Sequence, residues 1–203
     1  MSTHDVSSRK AELRDDALAY LLEHGLASVS LRPLAIQLGT SPRIIMFHFK
    51  SKERLLREVL EELHSRLKSS FLRLSKSPGH RVPPLKRLWL WATGKKQFAY
   101  LRLVYEVHIV AAQNPKVYGR YLKKASQDWQ TLAFQSLSES LRSEAMATLC
   151  IAVFDGLMLE MINTGDRRRL TQAMDKFIAI ASVSAQQGSD CPIPLESSRA
   201  RRA

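Results

Sequence analysis

Apolar residues recur at helical spacing along almost the whole chain, no stretch alternates as a strand would, and no internal repeat is visible. These observations predict an all-α protein of about nine helices. The 203 residues include only eight glycines and eight prolines, and several prolines stand at helix starts, which favours long helices. The length allows a sizeable buried core in one large or two small domains.

The elements follow in order. Ser7 to His24 reads as a first helix, with Leu13, Ala17, Tyr20 and Leu21 on one face and Gly25 as its stop. Ser30 is placed to cap a short second helix holding Leu31, Leu34, Ala35 and Leu38, and Gly39 behind it tolerates a left-handed stop. Thr40 or Ser41 caps a third short helix with Pro42 in its first turn, where a missing N–H costs nothing. Two helices joined by three or four residues with a glycine form a helix-turn-helix, whose second helix enters the major groove. Ser51 caps a long fourth helix, residues 52–75, and Ser75 to His80 is the clearest break in the chain.

Pro83 and Pro84 start a fifth helix reaching to about Lys96. A central segment, Phe98 to Gln113, is apolar on most sides. Asn114-Pro115 opens a helix running to about Leu141, Ser143 starts one ending near Asn163, and the last covers Leu170 to Gln187. From Gly188 to Ala203 the composition turns to Ser, Pro and Arg without periodicity, which predicts a disordered tail.

Residues 30–55 resemble the TetR family of bacterial transcription regulators. The family pattern is Ala-x-x-x-Gly-Val-Ser-x-x-x-Leu-Tyr-x-His-Phe-x-x-Lys-x-x-Leu, and Ala35, Gly39, Ser41, His48, Phe49, Lys52 and Leu55 match it in register. Thr40 stands for Val, Ile45 for Leu, Met46 for Tyr, and Arg43 for the usual small residue. The resemblance covers about the first quarter of the chain. It implies a headpiece over 1–50, an effector-binding and dimerisation domain over 51–187, and a double-stranded DNA operator as partner. Carried over by register, Arg32, Pro42, Arg43, Ile44 and Met46 point at base edges. Ser41 is counted with them among the DNA-binding residues, and Phe47, His48 and Lys52 hold the DNA backbone, with Phe47 partly packing inward.

The formal net charge of +12 suits a polyanionic partner, but the excess is local. Up to Ser65 basic and acidic residues balance, whereas from Arg66 to Lys124 fourteen basic residues face one acid, Glu106. Either a solvated face, extra phosphate contacts or a site for an anionic ligand would use them. No apolar run approaches the roughly 18 residues of a membrane span, and the N-terminus has no signal-peptide pattern, so a cytoplasmic protein without membrane partners is expected. Cys150 and Cys191 offer neither a disulfide framework nor metal spacing. The six histidines form no metal-ligand pair, and no catalytic motif appears, so no cofactor, metal or enzyme activity is expected.

Two stretches carry the remaining expectations. The penultimate helix is apolar nearly all round and should be buried all round. By resemblance it and the last helix form a homodimer seam, expected at Leu149, Val153, Leu157, Met161, Ala173, Phe177 and Ile180; the alternative is a core within one chain. Trp89, Tyr100, Val104, Tyr105, His108, Trp129 and Asp155 are candidates for an effector pocket taking a small apolar or amphipathic molecule with room for an anionic head. The alternative reading of those aromatics is plain core. Two functions follow: a repressor released by a small molecule, or a DNA-binding regulator governed by protein partners or abundance.

Overall fold

The computed structural model describes residues 3–26, 29–75 and 82–187. Among them run nine α-helices and no strand: α1 (Thr3–His24), α2 (Leu31–Gln37), α3 (Pro42–Phe49), α4 (Lys52–Ser75), α5 (Pro84–Ala92), α6 (Lys95–Gln113), α7 (Pro115–Ser136), α8 (Glu144–Thr164) and α9 (Arg167–Gln187). A short 3-10 turn, Glu139–Leu141, sits between α7 and α8. The expected break at 76–80 and the expected tail at 188–203 lie outside the described residues.

Local capping chemistry sets most boundaries. Backbone N–H groups donate to Ser41 Oγ from Ile44 (3.3 Å), to Ser51 Oγ from Arg54 (3.1 Å) and to Ser143 Oγ from Met146 (3.1 Å), satisfying donors with no partner inside their helices. Gly39, at φ +58°, turns the chain out of α2. Ser30 and Asn114 occupy N-cap positions without making a side-chain cap bond. Five expected boundaries shift. The first helix starts at Thr3, α5 ends at Ala92, α6 starts at Lys95 with Gly94 as its N-cap, α7 stops at Ser136, and α9 starts at Arg167 because Asp166 Oδ1 accepts from the Arg169 N–H at 3.1 Å.

One apolar cluster runs from Leu13 of α1 to Met174 of α9, so the headpiece and the larger helical part share a core. Helix α4 belongs to both. Its Glu58 pairs with Lys10 (2.6 Å), Glu62 with Arg14 (3.3 Å), and Arg66 with Asp15 (2.7 Å). Further on, Asp128 of α7 gathers His64 (2.9 Å), Lys68 (2.9 Å) and Lys124 (3.2 Å), and the Lys68 bond above all holds its carboxyl well below the usual range.

A second joint ties α6 to the end of α1. Leu26 N–H donates to Glu106 Oε2 at 2.9 Å, and Arg102 donates to the Leu22 carbonyl at 3.4 Å. Gly25 sits in this joint at φ +75°, and a Cβ there would stand 2.9 Å from Glu106 Oε2. The left-handed backbone favours glycine, and a Cβ would push the end of the Glu106 side chain away from its bond to Leu26. Gly25→Ala is therefore expected to lower stability by roughly 1–2 kcal/mol. Urea denaturation checks this, and an unchanged midpoint would show that the joint gives way freely.

Candidate nucleic-acid interface

Helices α2 and α3 cross over a small apolar floor. Leu34 and Ala35 of α2 and Ile45 and Phe49 of α3 are buried. With 45 and 49 turned inward, helical geometry sends 43, 44, 46 and 47 outward. Arg43, Ile44, Met46 and Phe47 are exposed, as are Arg32 and Ile36 of α2. Pro42 and Ser41 are half-buried at the start of α3. The outcome is a short helix offering one guanidinium and three apolar side chains to solvent, beside a second guanidinium from α2.

Phe47 corrects an expectation. It does not pack inward: it is 59% exposed, because Ile45 and Phe49 already fill the inner face. Lys50 lies over its ring at 5.3 Å and donates to the Phe47 carbonyl at 3.0 Å. Lys50 itself is at φ +68°, the one non-glycine residue with positive φ among those described, where α3 hands over to α4. His48 is half-buried, with the Phe47 ring edge-on at 5.2 Å and no hydrogen-bond partner for its Nδ1. Lys52 donates to the Val29 carbonyl, so one of its three N–H donors already staples the turn before α2. Ile36, 79% exposed, was missed by the sequence reading; two residues beyond buried Leu34, it is thrown to the opposite face by the same periodicity.

Ten of the fourteen central basic residues fall into two sets of five. Arg66 and Lys68 hold carboxylates of neighbouring helices, Lys124 pairs with Asp128 one turn along its own helix, Lys86 pairs with Asp175, and Arg87 donates to the Leu74 carbonyl. Lys95, Lys96, Lys116, Arg120 and Lys123 are exposed without an ion pair among the described residues. Much of the excess is therefore structural.

Of the seven effector candidates, three come together. The Tyr105 hydroxyl donates to Asp155 Oδ1 at 2.8 Å, and the Tyr105 and His108 rings meet edge-to-face at 6.4 Å. Burial pushes the Tyr105 hydroxyl up and the His108 imidazole down. It also raises the Asp155 carboxyl, against the Tyr105 bond and the nearby imidazole. The others are committed elsewhere. Trp89 is fully buried, donates to Thr171 Oγ1 at 2.9 Å and packs edge-on to Phe154; Val104 is core. Tyr100 packs against the core, and Trp129 packs on His64 and Phe71. A cleft of about 280 Å³ lies away from this set, between the α5–α6 and α8–α9 turns.

Helix α8 corrects two expectations. It is long and apolar enough to cross a membrane by composition, with mean hydropathy 1.8 over an 18-residue window, so one apolar run does approach a span. It is also not buried all round. Ala147, Cys150, Met158 and Met161 face inward, while Ala145, Leu149, Ala152, Gly156 and Leu159 lie exposed. Met161 thus belongs to the protomer's own core rather than a seam, and Val153 and Leu157 are half-buried beside it. On α9, Ala173 and Ile180 are exposed and Phe177 packs against the core.

A three-helix headpiece with an exposed short helix held over a capped, glycine-containing turn is a helix-turn-helix DNA-binding module. Residues 13–59 match the model of the bacterial regulatory proteins of the tetR family, and the headpiece belongs to that family. The match runs past residue 50 into α4, as the shared core would require. No curated protein matches the chain. Among solved structures it is similar to a transcriptional regulator from Rhodococcus sp. Rha1, with TM-score 0.72, 20% identity, and 90% of this chain and 99% of that one covered. It is similar also to a TetR transcription regulator from Haloarcula marismortui, with TM-score 0.69, 17% identity and coverage of 89% and 97%. A third similar fold is the multidrug binding protein EbrR complexed with imidazole, with TM-score 0.59, 17% identity and coverage of 93% and 92%. The headpiece is thus of tetR type, and the chain shares the fold of these solved regulators over about 90% of its length.

Proposed function

We propose that the protein is a ligand-responsive repressor that binds a palindromic operator as a homodimer and leaves it when a small molecule binds the helical part. The observation that carries the DNA half is the outward set Arg32, Arg43, Ile44 and Met46 over the buried pair Ile45 and Phe49. Guanidinium groups suit guanine N7 and O6, and the apolar side chains suit thymine methyls. Residues 1–50 serve as the reading headpiece and 51–187 as the effector and dimer part. The exposed apolar side of α8, with Ala173 and Ile180 of α9, supports a seam between two copies. Asp155, bonded to Tyr105 in the middle of α8, favours a protein partner over lipid and with it a cytoplasmic protein. A twofold dimer reads half-sites about one helical turn apart.

The release half is supported by the Tyr105–His108–Asp155 group and by EbrR, a protein of this fold complexed with imidazole. The core roles of Trp89 and Val104 favour the second reading, a regulator governed by protein partners, to that extent.

Arg43→Ala is expected to cost roughly 1–3 kcal/mol of operator affinity and to relax preference at one base pair. Lys52→Ala should weaken every sequence alike and lower the salt dependence, with some loss of stability because Lys52 also holds Val29. Selection of bound duplexes from random DNA, repeated for each variant, tests both. An Arg43→Ala protein with unchanged affinity and unchanged preferred sequence would show that α3 does not read bases.

A further inference from the structure

The cleft between the α5–α6 and α8–α9 turns is lined by Thr93, Phe98, Met161, Ile162, Gly165 and Arg167. Most of that lining is apolar. The Thr93 hydroxyl is already committed, donating to the Trp89 carbonyl at 2.9 Å, so Arg167 is the polar side chain with capacity left at the wall. Arg167 is exposed, and the carboxylates nearest in sequence, Glu160 and Asp166, are both engaged by Arg169 at 2.7 and 3.3 Å. Lys95 stands three residues before Phe98, hence on the same side of α6, and is exposed without an ion pair among the described residues. An open, largely apolar cleft therefore has one uncompensated cation at its wall, Arg167, and a second, Lys95, one turn from Phe98. Its volume of about 280 Å³ lies at the small end of ligand sites, enough for one aromatic ring or a short acyl chain.

We propose that this cleft binds a small anionic amphiphile, with its apolar part on Phe98, Met161 and Ile162 and its carboxylate against Arg167 and Lys95. A planar guanidinium donates two parallel N–H bonds to a carboxylate, whereas a neutral amide offers one acceptor and no charge, and an amine is repelled. As a regulatory site the cleft rests on the function proposed above. Helix α6 begins at its rim, and further along the same helix Arg102 and Glu106 grip the headpiece at Leu22 and Leu26.

Calorimetric titration of the full chain with octanoate, salicylate, octanamide and octylamine tests the site. Octanoate or salicylate is expected to bind saturably with a dissociation constant at or below about 1 mM, and octanamide at least about tenfold more weakly. Arg167→Gln, a change at an exposed position, should weaken the acids about tenfold and leave octanamide unchanged. Ile162→Trp should fill the slot and remove both. Equal binding of acid and amide, indifference to Arg167→Gln, or no saturation by either acid at about 10 mM overturns the proposal. Fluorescence anisotropy of labelled operator DNA in the same solutions separates the two levels. Binding of octanoate without any change in DNA affinity sinks only the regulatory role, and a wild-type protein that binds no DNA sinks the repressor reading while leaving the site standing.

Discussion

Gly156→Arg is expected to split the proposed homodimer into monomers and to weaken operator binding by at least about a hundredfold. The exposed residues of α8 at 145, 149, 152, 156 and 159 fall on one helical stripe, and two of them near its middle, Ala152 and Gly156, are small. Small residues four apart let two helix backbones approach closely, and a long cation at that point would stand in the partner's space. Within one protomer the change is benign. Nothing lies within 4 Å of a Cβ built at Gly156, and replacing a mid-helix glycine gains helix propensity. The variant therefore separates assembly from folding. With two headpieces no longer tethered, each half-site is bound alone and the advantage of linked binding disappears. Sedimentation velocity and helical circular dichroism provide the check. A Gly156→Arg protein that still sediments as a dimer would move the seam off this face of α8.

The same helix shows where sequence reasoning reaches its limit. Caps, the first-turn proline and the glycine turn are local chemistry, so Ser41, Pro42, Gly39 and the fourth helix starting at Lys52 were legible from neighbours in the chain. The phase of α8 was not. Ile151, Ala152, Val153, Phe154, Leu157 and Leu159 are all apolar, so hydropathy gives that helix no preferred inner side, and one expected seam residue, Met161, fell on the protomer core. Only packing against α7 and α9 fixes the rotation. On α3 the apolar run was equally continuous, but Ile45 and Phe49 were pinned by the helix-turn-helix register; misplacing Phe47 came from crediting an aromatic with burial instead of applying that register one step further. Glu106 was visible only as the one acid in a basic stretch. Its bond to Leu26 spans 80 residues, and no local signal announces such a partner.

Trp89→Ala is expected to destabilise the protein by roughly 3–5 kcal/mol, enough to lower the melting temperature by about 10 °C in a chain of this size. Trp89 is fully buried where α5 meets α8 and α9, its indole N–H held by Thr171 and its ring edge-on to Phe154 at 6.2 Å. Removing the ring leaves a cavity among three helices and strands the Thr171 hydroxyl without its donor. Trp89→Phe divides the effect, since it keeps most of the ring's packing and loses chiefly the hydrogen bond, for an expected cost of about 1–2 kcal/mol. A pocket wall would behave otherwise. Side chains lining a ligand site are poorly packed in the empty protein, so their truncation costs little stability and shifts ligand affinity directly. Thermal unfolding of the two variants beside the wild type decides between these outcomes. Near-native stability for Trp89→Ala would return this residue to the effector site and take away its role as the packing anchor of α5.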